Sequence, residues 1–170
     1  MTRQNTDTAL EEHFRLYQEL LSEQAWYSAA VSLAEIFHAS ARLSAGPRAA
    51  WKSRLNEELS EEFLREVRSG LEQSIQRIRR ILSVGSEWTG EEILLLMLMR
   101  VNIELLSEFL GEAVAVESLK HLDQIDDQLS ALAESKNHVH HFNWSLERMK
   151  KTALFDVEPV WLSLIHRARS

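Results

Sequence analysis

Residues 93–110 read ILLLMLMRVNIELLSEFL, and this run constrains the fold more than any other part of the chain. At about 100° per residue in an α-helix, Ile93, Met97, Arg100, Glu104, Ser107 and Gly111 fall within about 60° of one another, with Glu108 at the edge. Leu94, Leu95, Leu96, Leu98, Met99, Val101, Ile103, Leu105, Leu106, Phe109 and Leu110 cover the rest of the circumference. An ordinary surface helix has the opposite balance, an apolar stripe on a broad polar face. A membrane span needs about 20 largely apolar residues. Here Glu91, Glu92, Arg100, Glu104 and Glu108 interrupt the run too often, because a charge at mid-bilayer is costly. The run is therefore expected to be the dry centre of a helical protein, with Leu98 buried within it.

Composition supports a helical fold. Five Gly and two Pro in 170 residues are few for a fold rich in strands or loops. An apolar fraction of 45% can fill a core, and the length suits a single domain spanning 1–170. There is no Cys, which excludes disulfides and thiolate chemistry. A net charge of −7 argues against general nucleic-acid binding. The opening residues MTRQNTDTALEE carry no apolar leader, so the cytoplasm is the expected location. Residues 86–134 hold eleven acids and two bases, whereas residues 135–170 hold six bases and three acids. That asymmetry is expected to be complementary between packed helices, or else to present an acidic surface to a basic partner.

Along the chain, Leu10, Phe14, Tyr17 and Leu21, then Trp26, Ala30, Leu33, Phe37 and Ala41, keep helical spacing. Residues 8–44 form one helix, or two with a break at Ser22. Ala45-Gly46-Pro47 closes that element, with Gly46 as a C-cap. Trp51, Leu55, Leu59, Phe63, Val67, Leu71, Ile75, Ile78 and Leu82 then predict one helix of roughly 35 residues. Gly70 inside it marks a close helix crossing. Thr89 and Glu92 match a capping box. A third long helix follows over 90–134, with a bend at Gly111 and Asp123, Asp126 and Asp127 on its outer side. A shorter helix covers about 138–154. Together these predict an all-α, mostly antiparallel bundle of four to six helices built on three long ones.

Five groups of residues carry possible chemistry. Arg100 and Glu104 lie one turn apart and can pair. Their stripe either reaches solvent between two neighbouring helices or forms a pocket in which Arg100 grips a small anion or a partner carboxylate. Asn102, on the apolar side, is expected to fix register or bond a neighbouring backbone. Glu134, His138 and His141 would share a face if the helix ran unbroken, and two imidazoles with a carboxylate suit zinc or iron. Ser135-Lys136-Asn137 argues for an interruption there. Glu35 and His38 have the Glu-x-x-His spacing of di-iron bundles, but Glu117 and His121 are spaced i, i+4 and leave the set incomplete. Of the five Trp, Trp26 and Trp51 fit apolar stripes. Trp88 and Trp161 lie near the ends of elements, where an exposed indole would mark an interface.

The motifs HExxH, GxxxxGK[ST], GxGxxG and GxSxG are all missing. The reading that follows is a non-enzymatic helical interaction protein, of the adaptor, inhibitor, antitoxin-like or chaperone-like kind, without a cofactor. It would bind a protein partner or a second copy of itself through its surface. The alternatives are a zinc or iron protein using Glu134, His138 and His141, and a small-anion sensor with a pocket near Arg100.

Overall fold

A computed structural model describes residues 3–84, 88–154 and 157. Among them the secondary structure is entirely helical. The α-helices are α1 (Arg3–Ser22), α2 (Trp26–Ser40), α3 (Ala45–Glu57), α4 (Glu61–Val84), α5 (Gly90–Leu110), α6 (Leu122–Glu134) and α7 (Val139–Thr152). Two 3-10 segments, Gly111–Val114 and Glu117–His121, lie between α5 and α6. Among the described residues no helix is long and apolar enough to cross a membrane.

Seven α-helices replace the expected four to six because each of the three long helices is broken once. The first break follows Ser22, where Gln24 takes a left-handed φ of 59° and reverses the chain into α2. The Ser22 hydroxyl donates back to Glu19 O and so finishes α1 rather than starting α2. The second break is at 58–60, where Ser60 Oγ accepts the Phe63 N–H at 3.1 Å and caps a new helix. The apolar spacing passes through this cap without losing phase, which is why it reads as one helix. The third is at Gly111, whose φ of 53° suits glycine and ends α5. Gly46 is not a C-cap. Ser44 precedes α3, and Gly46 and Pro47 occupy its first turn, where a missing N–H costs nothing.

The chain groups into two compact units, residues 1–71 with 105–115, and residues 72–104 with 116–170. In the first, α2 folds back along α1, and His13 Nε2 on α1 meets Glu35 Oε2 on α2 at 2.6 Å. Phe14 and Tyr17 of α1, Trp51 of α3 and Phe63 of α4 form its aromatic centre, with Phe14 and Trp51 centroids 6.0 Å apart. Tyr17 donates to Glu58 Oε2 at 2.7 Å. Burial first, then the Glu58 carboxylate, holds its phenol well above the ordinary value. In the second unit, Ile75 and Ile78 of α4, Ile93, Leu96 and Met97 of α5, Ile125 and Leu129 of α6 and Phe142 of α7 are buried. Each such side chain contributes about 1.5–3 kcal/mol on leaving water. The Thr89–Glu92 capping box is formed: Thr89 N–H donates to Glu92 Oε2 at 2.9 Å and Glu92 N–H to Thr89 Oγ1 at 3.3 Å. The amide bond from Thr89 also holds the Glu92 carboxyl below its ordinary range.

Gly70 does mark a close crossing. A Cβ built there would stand 2.7 Å from Tyr27 Cβ on α2. Alanine is the better helix former by about 1 kcal/mol, but the clash outweighs that gain. Gly70→Ala is expected to lower stability by about 1–3 kcal/mol in thermal or urea melts, whereas Gly46→Ala, with open space around its Cβ position, is expected to be neutral or stabilising.

Candidate functional site

Most of α5 is buried as its hydrophobic pattern suggests, with Leu94, Leu96, Val101, Ile103, Leu105 and Leu106 all in the core, but over its first half the helix is turned differently. Its polar stripe points inward: Ile93 and Met97 are fully buried, Arg100 is 1% exposed and Glu104 3%. On the far side Leu95 and Leu98, expected to be buried, are 37% and 38% exposed. Asn102, on that side, is half-buried. Arg100 and Glu104 therefore neither reach solvent nor open as an anion pocket, whereas the far end of the stripe does reach solvent, with Glu108 and Gly111 exposed.

The cause is Asp126 of α6, expected on the outside and found 4% exposed. Arg100 Nε donates to Asp126 Oδ1 at 2.7 Å and Nη2 to Oδ2 at 2.9 Å, a bidentate fork. Its third nitrogen, Nη1, donates to Glu104 Oε2 at 3.2 Å. A lone buried guanidinium would be prohibitive. With both carboxylates in place, the inward position becomes tenable. Burial acts most strongly on Arg100 and opposes its charge, yet Asp126 and Glu104 together hold its pKa above the ordinary value. Burial likewise dominates at Asp126. It lifts that carboxyl above its ordinary 3.8 against the pull of Arg100, with Glu104 adding repulsion. One cation faces two carboxylates, so the group holds an excess negative charge or a proton.

The other candidate residues separate. Helix α6 ends at Glu134, Ser135 turns extended, and His138 stands at the head of α7. The unbroken face that would join Glu134, His138 and His141 is therefore not present. His138 Nδ1 lies 3.1 Å from Ser135 Oγ, and the His141 ring sits against the Gly90 position. Among the described residues no three histidines or carboxylates converge as a metal-ligand set. Glu35 is taken by His13, His38 Nε2 lies 3.4 Å from Glu108 Oε2, and Glu117 pairs with Lys120. Trp88 is half-buried and lines a cleft together with His138. Trp161 lies outside the described residues.

Three features were missed in the sequence. One is Asp126 as the partner of Arg100. Another is the outward Leu95 and Leu98, which the 95-98-102 spacing marks as a stripe without indicating its direction. The third is Trp144, 43% exposed beside the start of α5 with the Arg148 guanidinium 5.1 Å from its ring centroid.

Arg100→Ala would strand two buried carboxylates and is expected to cost about 3–5 kcal/mol in denaturant melts. Replacing all three groups, with Arg100→Met, Glu104→Leu and Asp126→Leu, should melt at or above the wild type. For Asp126 the raised pKa means that the folded state binds its proton more tightly than the unfolded chain does. Its contribution to stability is therefore greatest at low pH and is lost as pH rises from 3.8 through the raised value. Asp126→Asn removes this titration, so the variant should gain on the wild type as melts move from pH 4 to pH 7. A constant gap across that range would contradict the assignment. No family model, no curated protein and no solved structure matches this chain.

Proposed function

We propose that this protein is a non-enzymatic, cytoplasmic interaction protein that binds a protein partner through the open side of α5. What carries the reading is the inversion of that helix. Leu95 and Leu98 stand side by side, each a little over a third exposed, while the same helix turns a guanidinium and a carboxylate inward at the cost of desolvating both. A helix selected only for solubility would place the charges outside. Neighbouring leucines on one face, one turn apart, are the anchor spacing by which amphipathic helices dock in complexes. Trp144, exposed on the same unit, adds an indole of the kind enriched at binding hot spots.

A second copy of the chain is the first partner to consider, since one apolar stripe can pair with itself across a two-fold axis. The net charge of −7 further favours a protein over a nucleic acid.

The test uses Leu95→Asp with Leu98→Asp. Both positions are open, so the double variant should fold and lose less than about 2 kcal/mol, against more than about 4 kcal/mol for Leu96→Asp at a fully buried position. Light scattering reports self-association, and cross-linking in the native host reports a heterologous partner. The wild type should show one or the other, and the double variant should lose it. An assembly unchanged in the double variant overturns the reading.

A further inference from the structure

In the unit formed by 72–104 and 116–170, helices α4 and α6 line two cavities that share Gln128. The first, of about 390 Å³, is bounded by Arg79, Arg80 and Ser83 of α4 and by Gln124 of α6. The second, of about 380 Å³, is bounded by Leu82, Trp88, Ala131 and Leu132, with Ser135 and His138 as its polar members. Gln128 lines both, so the two lie next to each other along α6 as a trough with a cationic end and an apolar end on either side of that residue. Each volume falls in the range of about 300–1,000 Å³ that holds small organic ligands. From Gln124 to Ser135 the trough follows α6 for about 16 Å, at about 1.5 Å per residue.

Its charge is unusual for an acidic chain. Among the described residues the exposed ion pairs engage Arg54, Arg65, Lys120, Arg148 and Lys150, and leave out Arg79 and Arg80. Both of these arginines are exposed, adjacent in sequence and on the wall of one cavity. Asp123 and Asp127 lie about 60° or more around α6 from the Gln124–Gln128 line. Two neighbouring guanidinium groups repel, and an anion seated on both removes that repulsion while accepting their planar donors.

We propose that this trough binds a monomeric amphiphilic carboxylate. The head group lies on Arg79 and Arg80, with Gln124 as a further hydrogen-bond donor. The apolar body runs past Gln128 onto Leu82, Leu132 and the Trp88 ring. The charged end sets the sign of the ligand's head group, and the apolar end requires a tail, so neither a small inorganic anion nor a cationic detergent satisfies both.

The test is calorimetric titration of the full chain with dodecanoate below its micelle-forming concentration. One saturable site is expected. Affinity should fall by about three- to fourfold for each methylene removed on going to decanoate and octanoate. Arg79→Gln with Arg80→Gln should weaken dodecanoate by at least about tenfold, with the ligand-free melt unchanged. Ala131→Glu places a carboxylate at the exposed wall of the apolar end and should abolish binding. Dodecyltrimethylammonium and acetate should not bind. Four results would each overturn the proposal: no saturable dodecanoate site, equal affinity in the arginine variant, equal affinity for the cationic amphiphile, or association only with phosphatidylglycerol vesicles. The Leu95/Leu98 double variant should retain dodecanoate binding, so this site and the α5 surface can fail independently.

Discussion

The buried contact of Arg100 with Asp126 and Glu104 determines which way α5 faces. A guanidinium out of water is tolerable only while its donors are taken up by oxygens in fixed places, and here all three donor nitrogens meet carboxylates within 3.2 Å. Rotating α5 by one residue would carry the group about 100° away from Asp126 and leave three charges unsolvated. The leucines compete poorly against this. Each exposed leucine forfeits about 1.5–3 kcal/mol of burial at most, and both are only partly exposed. The ion group holds the helix in its azimuth, and the outward leucines follow from it.

The helical class was legible in the apolar spacing, and so were the Thr89–Glu92 box, which depends only on near neighbours, and the close crossing at Gly70, which a glycine inside a helix marks without naming its neighbour. Helix breaks were harder to see. Ser60 interrupts a spacing that stays in phase on both sides, and the positive φ of Gln24 belongs to a residue that does not demand it. The orientation of α5 was misread for a definite reason. Hydrophobic periodicity reports asymmetry around a helix, and a segment apolar on most sides has little of it. Its inward side was decided by a carboxylate 26 positions further along the chain, on another element.

The candidate sites divide in the same way. His138 and Trp88 stood apart in sequence, one as a ligand in a histidine cluster and one as an interface indole. The fold brings them onto one cleft. Arg79 and Arg80 lie on the exposed side of α4. Only the approach of Gln124 and Gln128 from α6 turns that face into a wall. The hydrophobic surface of α5 and the trough between α4 and α6 are thus separate consequences of how one set of helices is seated.

The ion group at Arg100 also limits how this protein can change over generations. Arg100 cannot be lost alone without stranding both carboxylates in an apolar interior, so Glu104 and Asp126 are tied to it and the three positions change most readily as a block. Leu95 and Leu98 are under no such bond. Their drift is not tied to that of any charge, so divergent forms of the chain should differ at those two positions one at a time.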